Sequence, residues 1–137
     1  MWALFALLSA VFAALTSILA KIGLDGVNSN LAVAIRTIVV LVMAWLVVFV
    51  TGAQTGLDGI NRRNLLFLVL SGIATGVSWL FYFRALQLGP ASKVIPIDRA
   101  SVVFAMILAF VVLGETVTLK TVVGGALIVI GTFVLIF

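Results

Sequence analysis

The chain of 137 residues has no cysteine and no histidine, and only 9% of its residues are charged. Without thiols or imidazoles it has no disulfides, no Cys or His metal ligands, no cysteine nucleophile and no Ser-His-Asp triad. Soluble domains carry about a quarter charged residues and roughly half apolar ones. Here 65% of the residues are hydrophobic, and the mean hydropathy is +1.44. These values exclude a water-soluble globule and predict a protein whose main contact is the lipid bilayer.

Basic residues are too scattered to indicate a nucleic-acid partner. Eight Lys and Arg occur with four acidic residues, one or two at a time between apolar runs, as is typical of anchors at the membrane interface. Near the ends of spans they divide three against three: Arg62, Arg63 and Lys120 on one side, and Lys21, Arg84 and Lys93 on the other. Adding Arg36 and Arg99, which lie inside spans, makes three against five. Because this bias normally sets orientation, its weakness predicts insertion in both orientations.

Five apolar runs are long enough to cross the hydrocarbon layer, which takes about 20 helical residues. Lipid admits only helices or closed barrels, and no run alternates like a strand. The sequence therefore predicts an all-α integral membrane protein with a single membrane domain over residues 1–137, without a cofactor or a metal site. The predicted spans are approximately 2–20, 31–50, 65–86, 94–113 and 121–137.

Small residues predict where these helices pack, because helices in lipid associate where backbones can approach closely. Gly72 and Gly76 form a GxxxG pair in the third predicted span, and Gly124 and Gly131 share one face of the fifth. The fifth span is expected to pack either on a neighbouring span of the same chain or on another subunit.

Polar side chains follow one face of the third predicted span. Ser71, Thr75, Ser78 and Tyr82 recur at spacings of four, three and four residues. Two interpretations stay open. The stripe lines a polar cavity, or each hydroxyl only bonds the carbonyl of the preceding turn.

Three charged residues inside spans need an explanation, because a charge in mid-bilayer costs about 2.5–3.5 kcal/mol even on insertion scales. They are Arg36, Asp98 and Arg99. The second and fourth spans start from the same side, so we expect Arg36 and Asp98 to pair, leaving Arg99 and Lys93 as surplus positive charge near a polar cavity. Either the pair only locks two spans together, or the cluster attracts a carboxylate, phosphate or zwitterion, or Asp98 exchanges a proton.

Pro96 stands two residues before Asp98. If its helix begins just ahead of it, proline is tolerated in the first turn. If the helix begins at Ala91 or Ser92, Pro96 interrupts the backbone hydrogen bonds beside the charges, as irregular backbone that lines a cavity does. We favour the second alternative.

The chain resembles the EamA repeat of the drug/metabolite transporter superfamily over nearly its whole length. In the second half, the similarity rests on Tyr82 with Arg84, Ala85 and Leu86, on Gly89, Pro90, Ala91 and Ser92, on Pro96, on Gly114 with Glu115, and on Gly125, Leu127, Ile128 and Gly131. In the first half, it rests on Lys21 with Gly23 and on the stretch from Ala34 to Arg36.

The resemblance implies a transporter fold in which larger members carry two such repeats of opposite orientation around a central cavity. A single repeat then needs a second copy, most simply an antiparallel homodimer, and the weak charge bias agrees with this. We expect a secondary transporter for efflux of a small polar or anionic metabolite, located in a bacterial inner membrane. The residues expected to bind solute or couple transport are Arg36, Tyr82, Asp98, Arg99, Ser78 and Thr75.

Two other functions stay open at this point. One is a non-transporting membrane subunit that holds another protein through its glycine faces. The other is a flippase for a lipid-linked substrate. An enzyme is not expected, because one carboxylate at membrane depth, without histidine or cysteine, is too little for paired acid/base work or metal ligation.

Overall fold

A computed structural model describes residues 1–137, apart from the side chain of residue 58. It is 86% helical and contains five segments long and apolar enough to cross a membrane. The predicted all-α membrane fold is thereby confirmed. The helices are α1 (Trp2–Gly23), α2 (Ser29–Thr51), α3 (Arg62–Leu88), α4 (Ala91–Arg99), α5 (Ser101–Val112) and α6 (Leu119–Ile136), with a 3₁₀ helix over Ala53–Gly59 between α2 and α3.

The helices are longer than most of the apolar runs from which they were predicted. Both α1 and α3 extend two or three residues beyond the predicted limits, and α6 begins at Leu119. The 27 residues of α3 measure about 40 Å, against about 30 Å of hydrocarbon. Helical hydrogen bonding therefore continues into the polar interface, which hydropathy alone does not mark.

Short polar signals set the ends of the helices. The Asn28 side chain accepts a hydrogen bond from the Asn30 amide at 2.9 Å and caps the start of α2, and Thr118 does the same for the Thr121 amide at 3.2 Å before α6. After α2, Gly52 has a φ of +72°, a left-handed conformation that favours glycine and ends the helix.

The fourth span is broken. Its first part, α4, begins at Ala91 and contains Pro96, and a turn at Ala100 separates it from α5. Because Pro96 has no N–H, it makes no bond to the carbonyl four residues earlier, and its ring crowds that turn. The Ala100 amide then bonds Ile97 at 3.0 Å, three residues back. The alternative in which Pro96 interrupts the helix is confirmed. The alternative in which Pro96 stands in the first turn of its helix is wrong.

The chain divides into two compact units: residues 18–88, the central unit, and residues 1–17 with 89–137, the split unit. In the central unit α2 packs on α3, and the buried apolar residues are Leu24, Val33, Phe83 and Leu86. The Lys21 ammonium donates to the Leu86 carbonyl, and Gln87 Nε2 donates to the Val27 carbonyl at 2.8 Å. The end of α3 is therefore fixed to the last turn of α1 and to the loop between α1 and α2.

In the split unit, α4 and α5 both pack on α6. Gly125 of α6 is buried beside Met106 of α5, where a Cβ would lie 3.4 Å from the methionine Cε. The Thr132 hydroxyl donates to Ile128 at 2.8 Å and reaches the Pro96 carbonyl, freed at the break, at 3.5 Å. An apolar groove of about 370 Å³ runs between α5 and α6, lined by Phe110 and Val129 among others.

Most large apolar side chains of the chain are exposed. This is expected of helices in contact with lipid, since lipid tails solvate them as well as another helix would. The described residues therefore form an integral membrane protein in contact with the bilayer.

Candidate solute-binding site

Arg36 of α2 lies against aromatic side chains of α3. Its guanidinium carbon is 3.8 Å from the centroid of the Trp79 ring and 5.4 Å from that of Phe83. Arg36 and Trp79 are half-buried, and Phe83 is only 2% exposed. A cation over an indole ring is attracted by the negative face of the ring. The two helices therefore hold an arginine at membrane depth by contacts that involve no acid.

The register of two antiparallel spans explains this meeting. Arg36 lies seven residues after Ser29, at about 10 Å along α2. Trp79 and Phe83 lie nine and five residues before the end of α3 at Leu88, at about 14 and about 8 Å. Since α2 begins and α3 ends on the same side, the arginine falls between the two rings. Neither Trp79 nor Phe83 was among the residues predicted to bind solute, although an arginine matched in depth by aromatics four residues apart was the available signal.

The aromatic contact offsets only part of the cost of the charge. Arginine in mid-bilayer costs about 2.5–3.5 kcal/mol on insertion scales, whereas a cation–π contact contributes about 0.5–2 kcal/mol. Among the described residues of the central unit, no carboxylate pairs with Arg36. Part of the cost of burying the charge therefore stays uncompensated. An oxyanion that accepts hydrogen bonds from the guanidinium N–H groups would offset it.

Tyr82 lies close enough to Arg36 to interact with it electrostatically, and its ring is 6.2 Å from that of Phe83. Thr75 and Ser78 are exposed. The Thr75 hydroxyl donates to the Ser71 carbonyl at 2.9 Å. This agrees, for Thr75, with the interpretation in which each hydroxyl of the stripe bonds the carbonyl of the preceding turn. The structure thus brings Arg36 and Tyr82 together, and it gives Thr75 a partner within its own helix.

Asp98 and Arg99 lie at the end of α4, directly before the break at Ala100. Asp98 is half-buried and Arg99 is exposed, and among the described residues of the split unit neither has an ion-pair partner. Because Arg36 belongs to the central unit, the predicted pair with Asp98 stays a prediction. Lys93 was expected to add surplus positive charge near a polar cavity. Its ammonium donates to the Ile136 carbonyl at 3.0 Å, at the negative end of α6, and the predicted role of its charge stays a prediction.

The glycines predicted for helix packing face open space within the described chain. A Cβ built on Gly72, Gly76, Gly124 or Gly131 meets no described atom within 4 Å outside its own helix backbone. Gly125, which recurs with Thr132 at a spacing of seven residues on the same predicted packing helix, is the glycine buried between α5 and α6. The four open glycines stay predictions for contacts with lipid or with another chain.

A second, more polar cleft of about 500 Å³ lies in the central unit, lined by Lys21, Asp25 and Gln87. Two of these side chains hold backbone carbonyls, namely Lys21 at Leu86 and Gln87 at Val27. The polar side chains of the cleft therefore stabilise the fold. The Arg36 cluster, which consists of Arg36, Trp79, Tyr82 and Phe83, is the better candidate for a solute site.

Comparison with known proteins decides the family. The model of the EamA-like transporter family matches residues 1–137. The chain belongs to the EamA-like transporter family. A Sinorhizobium protein described as an uncharacterized transporter in the cobO 3' region is 46% identical over 134 residues, which cover 98% of this chain and 95% of that protein. No solved structure matches the chain.

The expected resemblance is thereby confirmed over the whole chain of this EamA-like protein. Both comparisons point to a membrane transporter rather than an enzyme. Arg36 then lies in a helix long and apolar enough to cross the membrane in a member of a transporter family, where a charged residue is a candidate for a solute or ion site.

Proposed function

We propose that this EamA-like protein is a secondary transporter that exports a small anionic metabolite by alternating access. The observation that carries the proposal is the Arg36 guanidinium, held on Trp79 inside a span and without a carboxylate partner in the described central unit. A carboxylate or phosphate on the solute supplies the missing negative charge. The bacterial relative supports placement in a bacterial inner membrane.

Asp98 is proposed to compete with the solute for Arg36. Asp98 lies seven residues into α4, at about 10 Å along that helix. Pairing of Arg36 with Asp98 in the empty state, and with the solute in the loaded state, keeps the charge compensated throughout the cycle. Protonation of Asp98 would release Arg36 to the solute and couple transport to protons.

The working unit is proposed to be an antiparallel homodimer. One repeat has five spans, and its basic residues give little orientation bias. The open faces at Gly72 with Gly76 and at Gly124 with Gly131 offer close-packing surfaces for the second copy. A solute path between two inverted copies would match the inverted repeats common in secondary transporters.

The experiment that tests transport uses purified full-length protein in sealed lipid vesicles. The vesicles are loaded with a small-molecule extract of bacterial cells, and the solutes that leave are identified by mass spectrometry against protein-free vesicles. We expect faster loss of one or a few organic anions, which saturates with concentration and is absent with Arg36→Gln. Equal loss from both kinds of vesicle would contradict transport and favour a non-transporting subunit.

A further inference from the structure

The Arg36 contact has a geometry that leaves its hydrogen-bond donors available. The guanidinium carbon lies over the Trp79 ring at 3.8 Å from its centroid, which is van der Waals contact between a cation and a ring face. The five N–H groups of arginine lie in the guanidinium plane, so an aromatic ring on its face engages none of them. The described central unit gives Arg36 no hydrogen-bond acceptor.

Two arginines of α3 lack this combination of a close ring contact and available donors. Arg84 donates through Nη1 to Gln87 Oε1 at 2.9 Å, so part of its donor edge is occupied. Arg63 is exposed, and its guanidinium carbon is 6.0 Å from the Phe67 centroid, at the limit of a cation–π contact. Close stacking at membrane depth is therefore specific to Arg36 in this comparison.

We propose that Trp79 is a positioning residue of the solute site: its indole face holds the Arg36 guanidinium so that the N–H edge binds a carboxylate or phosphate by two parallel hydrogen bonds. This inference rests on the proposed function and names the chemical class of its solute. Two-pronged binding needs a fixed guanidinium plane, because a freely rotating arginine loses side-chain entropy when it binds. The Phe83 ring lies farther from the guanidinium carbon, at 5.4 Å.

The test measures anion binding by calorimetry on full-length protein in phosphatidylcholine vesicles, with inorganic phosphate and acetate as the two probes. We expect Trp79→Leu to weaken binding about 2- to 30-fold, the range of a cation–π contact. Trp79→Phe, which keeps a ring face, should retain most of the affinity, and Arg36→Gln should abolish saturable binding. The matched control is Trp45→Leu, since Trp45 stacks on Phe49 within α2 and should leave binding unchanged.

A second readout follows Trp79 directly. In the variant with Trp2→Phe and Trp45→Phe, Trp79 is the remaining tryptophan, and its emission should change saturably with phosphate but not with chloride at equal ionic strength. This change should disappear with Arg36→Gln. Circular dichroism confirms that each variant is folded, and Trp79→Phe keeps the inference testable if Trp79→Leu does not fold.

The outcomes separate this inference from the function on which it rests. Equal binding by Trp79→Leu and wild type, with loss in Arg36→Gln, would overturn the positioning role and leave the Arg36 site intact. No saturable binding by wild type would overturn the oxyanion site, whereas export of a neutral or cationic solute from loaded vesicles would still establish transport. If added phosphatidylglycerol suppresses phosphate binding, the positioning role of Trp79 is supported and the bound oxyanion is a lipid headgroup. If phosphate binding is unchanged, the positioning role is supported and the bound oxyanion is a soluble anion.

Discussion

Each charged side chain inside a span needs compensation that hydrocarbon does not supply. Arg36 obtains part of it from the faces of Trp79 and Phe83. Asp98 is half-buried and has no ion-pair partner among the described residues of the split unit. The two residues therefore differ in how much of their cost the structure already offsets.

Asp98→Asn is expected to abolish coupled export while the dimer still assembles. The amide keeps the size of the side chain but removes both the negative charge and the exchangeable proton. Flux from loaded vesicles should fall to the protein-free level, with the molecular mass in detergent unchanged. Asp25→Asn, an exposed carboxylate in the loop after α1, is the control and should retain flux. Normal flux in Asp98→Asn would remove the ion-pair and proton roles.

Two lysines of the chain act on helix ends rather than on solute. Lys21 donates to the carbonyl of Leu86 near the end of α3, and Lys93 donates to that of Ile136 at the end of α6. Cations at helix C-termini interact favourably with the helix dipole and with carbonyls that have no partner in the helix. Part of the positive charge that suggested an anion path is therefore structural.

Lys21→Met is expected to destabilise the fold by about 1–3 kcal/mol, the cost of leaving a buried carbonyl without its donor. Leu86 is 0% exposed, so water cannot replace the ammonium easily. The measurement is denaturant unfolding in detergent. Lys120→Met serves as the control, because Lys120 is exposed in the first turn of α6, where the helix dipole disfavours a cation. A loss of stability in both variants alike would contradict the proposed role of Lys21.

Among the helices, the fourth span and α6 depend on each other. The break after Pro96 frees the carbonyl of that residue, and the Thr132 hydroxyl lies at 3.5 Å from it while bonding Ile128 at 2.8 Å. Irregular backbone at membrane depth is tolerated where neighbouring polar groups satisfy it. Pro96, Asp98 and the turn at Ala100 are thus concentrated in one short segment, which places a carboxylate beside the least regular part of the span.

Two neighbouring glycines of α6 allow packing within the chain to be separated from packing between chains. Gly125→Leu is expected to destabilise the fold by about 1–3 kcal/mol, because its side chain meets Met106 of α5. Gly124→Leu should leave unfolding unchanged, since a Cβ there meets no described neighbour. If the Gly124 face holds the second copy, Gly124→Leu should instead lower the dimer fraction measured by cross-linking. Equal unfolding free energies for both variants would contradict this division of roles.

For the whole molecule, the bilayer and any second copy cover most of the apolar surface. Only Leu24, Val33, Phe83 and Leu86 are buried hydrophobic residues among those described. Near the ends of the predicted spans, the basic residues divide three against three between the two predicted sides, which agrees with the proposed antiparallel dimer.

Membrane topology is expected to be mixed. Asn61→Cys places a single thiol just before α3, and Ser92→Cys places one in the first turn of α4, four residues after α3 ends. Both positions are exposed, and the chain has no cysteine of its own. Each should react with an impermeant thiol reagent in a fraction of the molecules in intact cells. Labelling of one position alone would contradict dual insertion and require a parallel dimer or a different partner chain.

The sequence by itself determined the solvent, the helical class and the five spans, because these follow from composition and from the length of apolar runs. It also placed Arg36 and Asp98 near the beginnings of their spans, although the helices begin two and three residues earlier than predicted, at Ser29 and Ala91. The position of Pro96 pointed to a break, although where the helix began was needed to decide it.

Only the tertiary structure decided which side chains meet. Hydropathy does not distinguish Trp79 under a guanidinium from an interface anchor, or Lys93 at a helix end from a free charge. It also does not tell the buried Gly125 from the open Gly124 one residue earlier. These outcomes depend on how helices rotate about their axes, and rotation is set by contacts between residues distant in the sequence, which a pattern along one chain does not encode.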